Sequence, residues 1–357
     1  MNFYTKNDTA FENARFVLEE ISEAKPGNNI VILADRESYE NARALADCAK
    51  SLQMNVFIAD VDVYGGEEGY DNLPVMEPLR QAILHADITF MTTPQIKTGF
   101  SMYLGNKKDG DASLAAGTKR FTLEAGGMGK WKLNKPEVMR NRERALRLFA
   151  WLKHARELRI TTERGTELIC DMSAPDGMYP VVGIIPFYSE VAIVPSIGSV
   201  DGVAVIDGAS ERAYSQRGFP IRPNIPGHRE IYMEPIRLHF QKSELVKYEA
   251  PEIQKQRMDT LMEKVEPQPR WCDEIGLVAT TSVENDEYGW TVDGSHHIRC
   301  VHVALGNNTN RREIIHAKEH IDFDMHDPSI WIDGVQICDK GDFLDRVIDE
   351  MYEKNKE

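Results

Sequence analysis

The sequence predicts an α/β protein: an N-terminal α/β domain with a mostly parallel sheet, followed by a β-rich α+β C-terminal domain. Three observations lead to this prediction. Apolar runs typical of buried strands alternate with helical patterns up to about residue 155. From there to the C-terminus, strand patterns dominate. The length of 357 residues is enough for two domains, each with its own core.

In the first predicted domain, residues 1–155, strands and helices follow one another in turn. Apolar runs predict strands at 29–35, 56–60, 86–92 and 121–124, and helical patterns cover 38–52, 76–84 and 136–154. Such alternation is typical of a parallel sheet with helix-covered faces. The Gly126–Gly129 segment follows a strand, but its spacing does not fit the dinucleotide fingerprint. We therefore expect neither a bound NAD nor a nucleoside triphosphate.

The second predicted domain, residues 156–357, is rich in strands. Strand patterns occur at 157–162, 167–171, 202–207, 236–241, 301–305 and 330–337. Turn sequences such as Asp333-Gly334 and Lys340-Gly341-Asp342 separate strands in this part of the chain. One helix, residues 251–263, is expected to stand alone among them.

Composition and charge restrict the classes of partner. The formal net charge is −15 at pH 7, which disfavours nucleic acid or an anionic membrane as a partner. No apolar window is long enough for a membrane span, and Met1–Ala10 lacks the apolar core of a signal peptide. The 5 cysteines are scattered without ligand-like spacing, so we expect core thiols rather than disulfides or a thiolate zinc site. We expect a cytoplasmic protein.

The segment His320-Ile321-Asp322-Phe323 is the first candidate for chemistry. If it is a strand, His320 and Asp322 point to the same face, because side chains alternate with a period of two. An imidazole beside a carboxylate on a rigid strand suits a divalent metal ion. The alternative is an edge-strand pair that faces water.

A second candidate is His302, which interrupts the apolar run Val301–Leu305. A buried polar group must be hydrogen-bonded or metal-bound, so this histidine is either a metal ligand or a satisfied core residue. Two glutamates are further candidates. Glu274 opens an apolar strand, and Glu230 follows the turn Asn224–Gly227 and enters a strand. Either glutamate can equally be a surface carboxylate.

Taken in chain order, the four segments around Glu230, Glu274, His302 and His320 resemble the metal-site motifs of the thermophilic aminopeptidase T (AmpS-like) family of metalloaminopeptidases. The resemblance implies a binuclear site and a homodimer, with Glu230, Glu274, His302, His320 and Asp322 as metal ligands. Oxygen and nitrogen ligands without sulfur fit Zn²⁺, Co²⁺ or Mn²⁺. It also implies a hydrolase in which activated water attacks an amide or related bond of a small-molecule or short-peptide substrate. Glu230 or Glu274 would serve as the general base.

The chain also resembles the shorter, iron-dependent 2,5-dihydroxypyridine dioxygenase (NicX-like) group. The similarity lies in residues 116–158 and in the ending His320–Asp322 followed by 330–333. It implies one Fe(II) ion and ring cleavage of a hydroxylated N-heteroaromatic. Upstream His and Ser ligands of that group correspond here to Glu274 and Ala304, and a tyrosine of the aminopeptidase family corresponds to Thr309. A catalytically silent homologue that binds a small molecule is the third alternative.

Charged residues outside these motifs are candidates for substrate binding. Arg311 and Arg312 follow the His302 strand and can bind a substrate carboxylate bidentately, or they are ordinary surface charge. Four histidines flank the predicted ligands: His296, His297, His316 and His326. Of these, His297 is kept with the two arginines as a substrate-binding candidate. Loop histidines can orient substrate or carry protons, or simply face solvent.

Overall fold

The computed structural model describes most of the chain in ten segments and four further positions. They are 8–36, 38–60, 77–92, 112–123, 127–185, 188–209, 235–252, 270–280, 299–306 and 320–355, with Lys255, Met258, Asp259 and Met262. The chain divides into two compact units. The first contains the described residues up to Met139 together with 183–185, and the second contains the others. The domain boundary near residue 155 stays a prediction.

Five α-helices and nineteen strands have bounds within the described segments, and residues 112–115 are also helical. The helices are α1 Thr9–Phe16, α2 Tyr39–Ser51, α3 Glu77–Leu84, α4 Lys135–Leu152 and α5 Asp345–Asn355. The first ten strands are β1 Asn29–Ala34, β2 Asn55–Asp60, β3 Ile88–Met91, β4 Lys119–Leu123, β5 Glu157–Thr161, β6 Glu167–Asp171, β7 Gly177–Val181, β8 Ile184–Ile185, β9 Glu190–Val194 and β10 Val200–Ile206. The remaining strands are β11 Gly208–Ala209, β12 Ile236–Gln241, β13 Glu244–Glu249, β14 Cys272–Val278, β15 Cys300–Gly306, β16 His320–His326, β17 Ser329–Ile332, β18 Val335–Asp339 and β19 Asp342–Phe343.

The first unit is built on a parallel sheet of five strands in the order β2-β1-β3-β4-β8. Strand β1 lies inside this sheet, and its residues from Ile30 to Ala34 are all buried. Helix α2 is buried over most of its surface, including the consecutive residues Ala44–Ala49, because it packs against α1 as well as the sheet. The predicted parallel α/β architecture of the N-terminal part is confirmed.

The second unit contains two antiparallel sheets. The larger has eight strands in the order β13-β12-β10-β6-β5-β17-β18-β19, and the smaller has six in the order β11-β16-β15-β14-β9-β7. A single core gathers buried apolar side chains from both sheets and from α4, among them Leu148, Ile160, Ile275 and Val303. The predicted β-rich C-terminal architecture is therefore also confirmed.

Two details of the second unit differ from the prediction. The expected helix at 251–263 does not stand alone, because α5 forms at the C-terminus and buries Ile348. This short amphipathic helix was not predicted from the sequence because many of its residues are charged. The predicted strand 330–337 is a hairpin of β17 and β18. Asp333 and Gly334 join the two strands with φ of 48° and 78°, because a tight hairpin needs positive φ at both turn positions.

All five cysteines are free and buried, as the sequence predicted. Burial raises the pKa of the Cys170 thiol to about 12, so this thiol stays protonated at neutral pH. Among the described residues, no helix combines the length and the apolar character that a membrane crossing requires.

Candidate metal centre

The six-stranded sheet has two chemically different faces. Val191, Ile275, Val303 and Phe323 point into the hydrophobic core from four adjacent strands. Side chains alternate along a strand, so the residues next to these four along their own strands lie on the opposite face of the sheet. That opposite face carries the ionisable residues.

Strand register brings these residues together. Glu274 pairs with Ala304 between β14 and β15, and Ala304 pairs in turn with Asp322 of β16. Two positions along, Gly276 pairs with His302, which pairs with Asp324. On the other side of β14, Val278 pairs with Glu190 of β9. Directly paired residues of an antiparallel sheet share a face, so the polar groups of four strands lie on the same face.

A β-bulge at Asp273 decides where Glu274 points. Cys272 pairs with Leu305 and belongs to the core, whereas Glu274 pairs with Ala304, and the register shifts between the two pairs. The bulge adds one residue, so Cys272 can face the core while Glu274 faces the polar side. Bulges of this kind are frequent next to active sites because they redirect a side chain.

Glu190, Glu274 and His302 form a compact group on the polar face, with one ligand atom of each within 4.8 Å of the others. All three are buried, at 4%, 1% and 3% exposure. The His302 Nε2 atom lies 3.4 Å from Glu190 Oε1. Two ligands that each lie about 2.1 Å from a tetrahedral ion are about 3.4 Å apart, so this pair has the spacing of metal ligands.

The chemistry of the group fits a divalent cation. Two carboxylates this close repel each other when both are ionised, unless a proton or a cation lies between them. Gly276 keeps the space between the ligands open, because a Cβ atom there would overlap both the His302 ring and Glu190 Oε1. Carboxylate oxygens and an imidazole nitrogen are ligands for Zn²⁺, Mn²⁺, Co²⁺ or Fe²⁺.

Tyr188 borders this group. Its hydroxyl donates a hydrogen bond to Glu190 Oε2, and the side chain is 3% exposed. Burial raises the pKa of Tyr188 well above its ordinary value, and the negative charges of Glu190 and Asp322 raise it further. The phenol therefore remains a protonated donor beside the group.

A second polar cluster lies at the end of β16. His326 Nδ1 is 2.8 Å from Asp207 Oδ1, the His326 backbone amide donates to the same oxygen, and Arg164 Nε lies 2.7 Å from Asp207 Oδ2. Burial acts to raise the pKa of Asp207, but hydrogen bonds from His326 and the charges of His326 and Arg164 outweigh it and lower the pKa. Asp207 is therefore a carboxylate that fixes the His326 ring.

The structure places some of the predicted ligands and leaves others outside the described residues. Glu274 and His302 come together in the group of three. Asp322 is half-buried on the same face, and the His320 backbone pairs with Gly306, while the His320 side chain is outside the described part. Other predicted positions lie outside the described residues: Glu230, His296, His297, Thr309, Arg311, Arg312 and His316. For these residues the assignments stay predictions.

Glu190 was not predicted from the sequence. It opens the apolar run Val191–Val194, as Glu274 opens its own strand, so the same pattern was available. The short strand β9 had not been recognised, and Glu190 reaches Glu274 only through the pairing of β9 with β14.

Comparison with solved structures identifies the architecture. The 2,5-dihydroxypyridine dioxygenase from Pseudomonas putida KT2440 superposes with a TM-score of 0.62 at 14% identity, over 94% of this chain and 96% of that chain. Wild-type AmpT from Thermus thermophilus superposes with a TM-score of 0.58 at 15% identity, over 94% of this chain and 99% of that chain. The chain has the fold of these two enzymes. This fold is the one that the sequence motifs indicated. Neither a protein-family model nor a curated protein matches the sequence.

Proposed function

We propose that this protein is a metal-dependent hydrolase that cleaves an amide or related bond of a small substrate, such as a short peptide. The observation that carries the proposal is the buried group of Glu190, Glu274 and His302. The fold shared with AmpT, together with the sequence resemblance to the aminopeptidase T family, supports amide hydrolysis. A divalent ion held by the group would polarise a substrate carbonyl and lower the pKa of a water molecule.

Each residue of the group has its own role in this proposal. His302 and Glu190 would hold the ion through Nε2 and Oε1, the two atoms that lie 3.4 Å apart. Glu274 lies on the neighbouring strand within reach of both, and its two oxygens would serve as the third ligand and as the acceptor of a proton from the attacking water. Asp322, on β16 and on the same face, would extend the ligand set if a second ion binds, and the role of His320 as a further ligand stays a prediction.

The second candidate is an Fe(II)-dependent dioxygenase that cleaves a hydroxylated N-heteroaromatic ring. Its support is the TM-score of 0.62 with the Pseudomonas enzyme over nearly the whole of both chains. The donor set favours hydrolysis instead. Mononuclear Fe(II) oxygenases commonly use two histidines and one carboxylate, whereas the group here has one histidine and two carboxylates. Ala304, between Glu274 and Asp322 on the same face, offers no ligand atom.

The test compares both activities in one preparation. Protein purified anaerobically without added metal is analysed for metal, then loaded with Zn²⁺, Mn²⁺, Co²⁺ or Fe²⁺. Each form is assayed for release of amino acids from short peptides and for oxygen uptake with 2,5-dihydroxypyridine. We expect peptide hydrolysis that is lost in Glu274→Gln and retained in Glu157→Gln, a matched change at an exposed strand position.

Oxygen uptake supported only by iron, without hydrolysis, would overturn the hydrolase in favour of the dioxygenase. A protein that binds no metal and has neither activity would favour the third alternative, a silent homologue that binds a small molecule.

A further inference from the structure

The two oxygens of the Glu190 carboxylate have different surroundings. Oε2 accepts the hydrogen bond of the Tyr188 hydroxyl, whereas Oε1 lies 3.4 Å from His302 Nε2. A carboxylate can bind a metal through one oxygen or through both. With Oε2 engaged by a phenol, the geometry favours binding through Oε1 alone.

The backbone around Tyr188 is fixed to the strand that carries Glu274. The Ala279 amide donates to the Ser189 carbonyl at 2.8 Å, and the Ser189 amide donates to Thr280 Oγ1 at 3.1 Å. Ser189 and Thr280 are both buried. Tyr188 and Glu190 therefore flank a residue whose position is set by the end of β14, and the phenol approaches the carboxylate from an anchored backbone.

We propose that Tyr188 is a positioning residue of the metal centre: its hydroxyl holds Glu190 so that Oε1 alone faces His302 and the metal ion. This inference rests on the proposed metal-dependent function. Hydrogen-bond partners of ligating carboxylates orient the ligand, and their loss typically weakens metal affinity by about 10- to 100-fold. Tyr188 has the place and the chemistry of such a partner.

The experiment compares Tyr188→Phe with Tyr179→Phe, the same change at a 41%-exposed tyrosine on β7 of the same sheet. Zn²⁺ affinity is measured by competition with a chromophoric chelator, and the Co²⁺-loaded proteins are compared by visible absorption. We expect Tyr188→Phe to bind Zn²⁺ about 10- to 100-fold more weakly and to shift the Co²⁺ bands. Tyr179→Phe should match the wild type in both.

A double-mutant cycle separates positioning from a general loss of structure. If Tyr188 acts through Glu190, then adding Tyr188→Phe to Glu190→Gln causes little further loss of Zn²⁺ affinity. Additive losses would overturn the proposal, and so would an unchanged affinity and Co²⁺ spectrum in Tyr188→Phe. If Tyr188→Phe fails to fold without metal, Tyr188→Gln, whose amide donates a hydrogen bond without adding an imidazole ligand, must recover Zn²⁺ affinity for the proposal to stand. A wild-type protein that binds neither ion overturns the proposed function as well, which distinguishes the two failures.

Discussion

Gly276 lies directly opposite His302 in the pairing of β14 with β15, and the absent side chain of Gly276 leaves the space that the imidazole occupies. Neighbouring strands contribute Glu190 and Glu274 to the same space. The arrangement of the group therefore depends on a glycine as much as on the three ionisable side chains, because any Cβ at position 276 would overlap the His302 ring.

The first prediction concerns this glycine. Gly276→Ala should displace the His302 ring, weaken Zn²⁺ binding at least about tenfold, and lower the free energy of unfolding by about 2 kcal/mol through overpacking. Gly127→Ala is the matched control, since a Cβ there meets nothing within 4 Å. Chelator competition and urea unfolding measure the two effects. Wild-type affinity in Gly276→Ala would show that His302 does not need this space to bind metal.

The second prediction concerns the contact of Asp207 with His326 and Arg164. The folded-state pKa of Asp207 is lowered, so its contribution to stability is present above the unfolded-state value and is lost as pH falls through the folded-state pKa. We expect Asp207→Asn to cost about 2 kcal/mol at pH 7 and progressively less as the pH falls below about 4. Urea unfolding across this pH range checks it, with the exposed Asp201→Asn as control. A cost that does not change with pH would contradict the prediction.

The third prediction concerns Arg144, which is 5% exposed on α4. Its guanidinium binds Asp345 of α5 through two nitrogens, at 2.5 and 2.9 Å, and donates to the Ala279 carbonyl just after β14. Arg144→Ala should lower the free energy of unfolding by about 3 kcal/mol, because the Ala279 carbonyl loses this donor and Asp345 keeps only the longer contact with Arg140, at 3.5 Å, among the described residues. Arg346→Ala is the control. That side chain is 92% exposed and, within the described part of the chain, pairs with Glu350 one turn away, a pair worth about 0.5 kcal/mol. Equal losses in urea unfolding would contradict the role of Arg144.

Much of the fold could be predicted because local patterns are strong. The continuous apolar run of β1 and the isolated polar residue His302 within β15 both follow from side-chain periodicity. The same reasoning selected Glu274 at the start of an apolar run. These features depend on a few neighbouring residues, which a single sequence contains.

The rest of the site depends on pairing between distant segments. Glu190 meets Glu274 because β9 pairs with β14, more than 80 residues further along the chain, and no local pattern fixes that register. The bulge at Asp273 turns Glu274 to the polar face, and it arises from the pairing with β15. Tyr188 lies only two residues before Glu190, but the backbone between them is anchored at Ser189 by the distant residues Ala279 and Thr280. Sequence patterns therefore indicated a metal site and two members of the group, but not Glu190, its second carboxylate.

The central claim is that Glu190, Glu274 and His302 hold a divalent metal ion. The most direct measurement is Zn²⁺ binding by chelator competition in the wild type and in Glu190→Gln, Glu274→Gln and His302→Ala. The matched controls are Glu157→Gln and His239→Ala, which change residues outside the group.

At free Zn²⁺ 100 times the dissociation constant, binding should also raise the free energy of unfolding of the wild type by about 2.7 kcal/mol. We predict at least one ion per wild-type chain, affinity losses of tenfold or more in each of the three variants, and wild-type affinity in both controls. A wild-type chain that binds no ion, or three variants that bind Zn²⁺ as tightly as the wild type, would contradict the account.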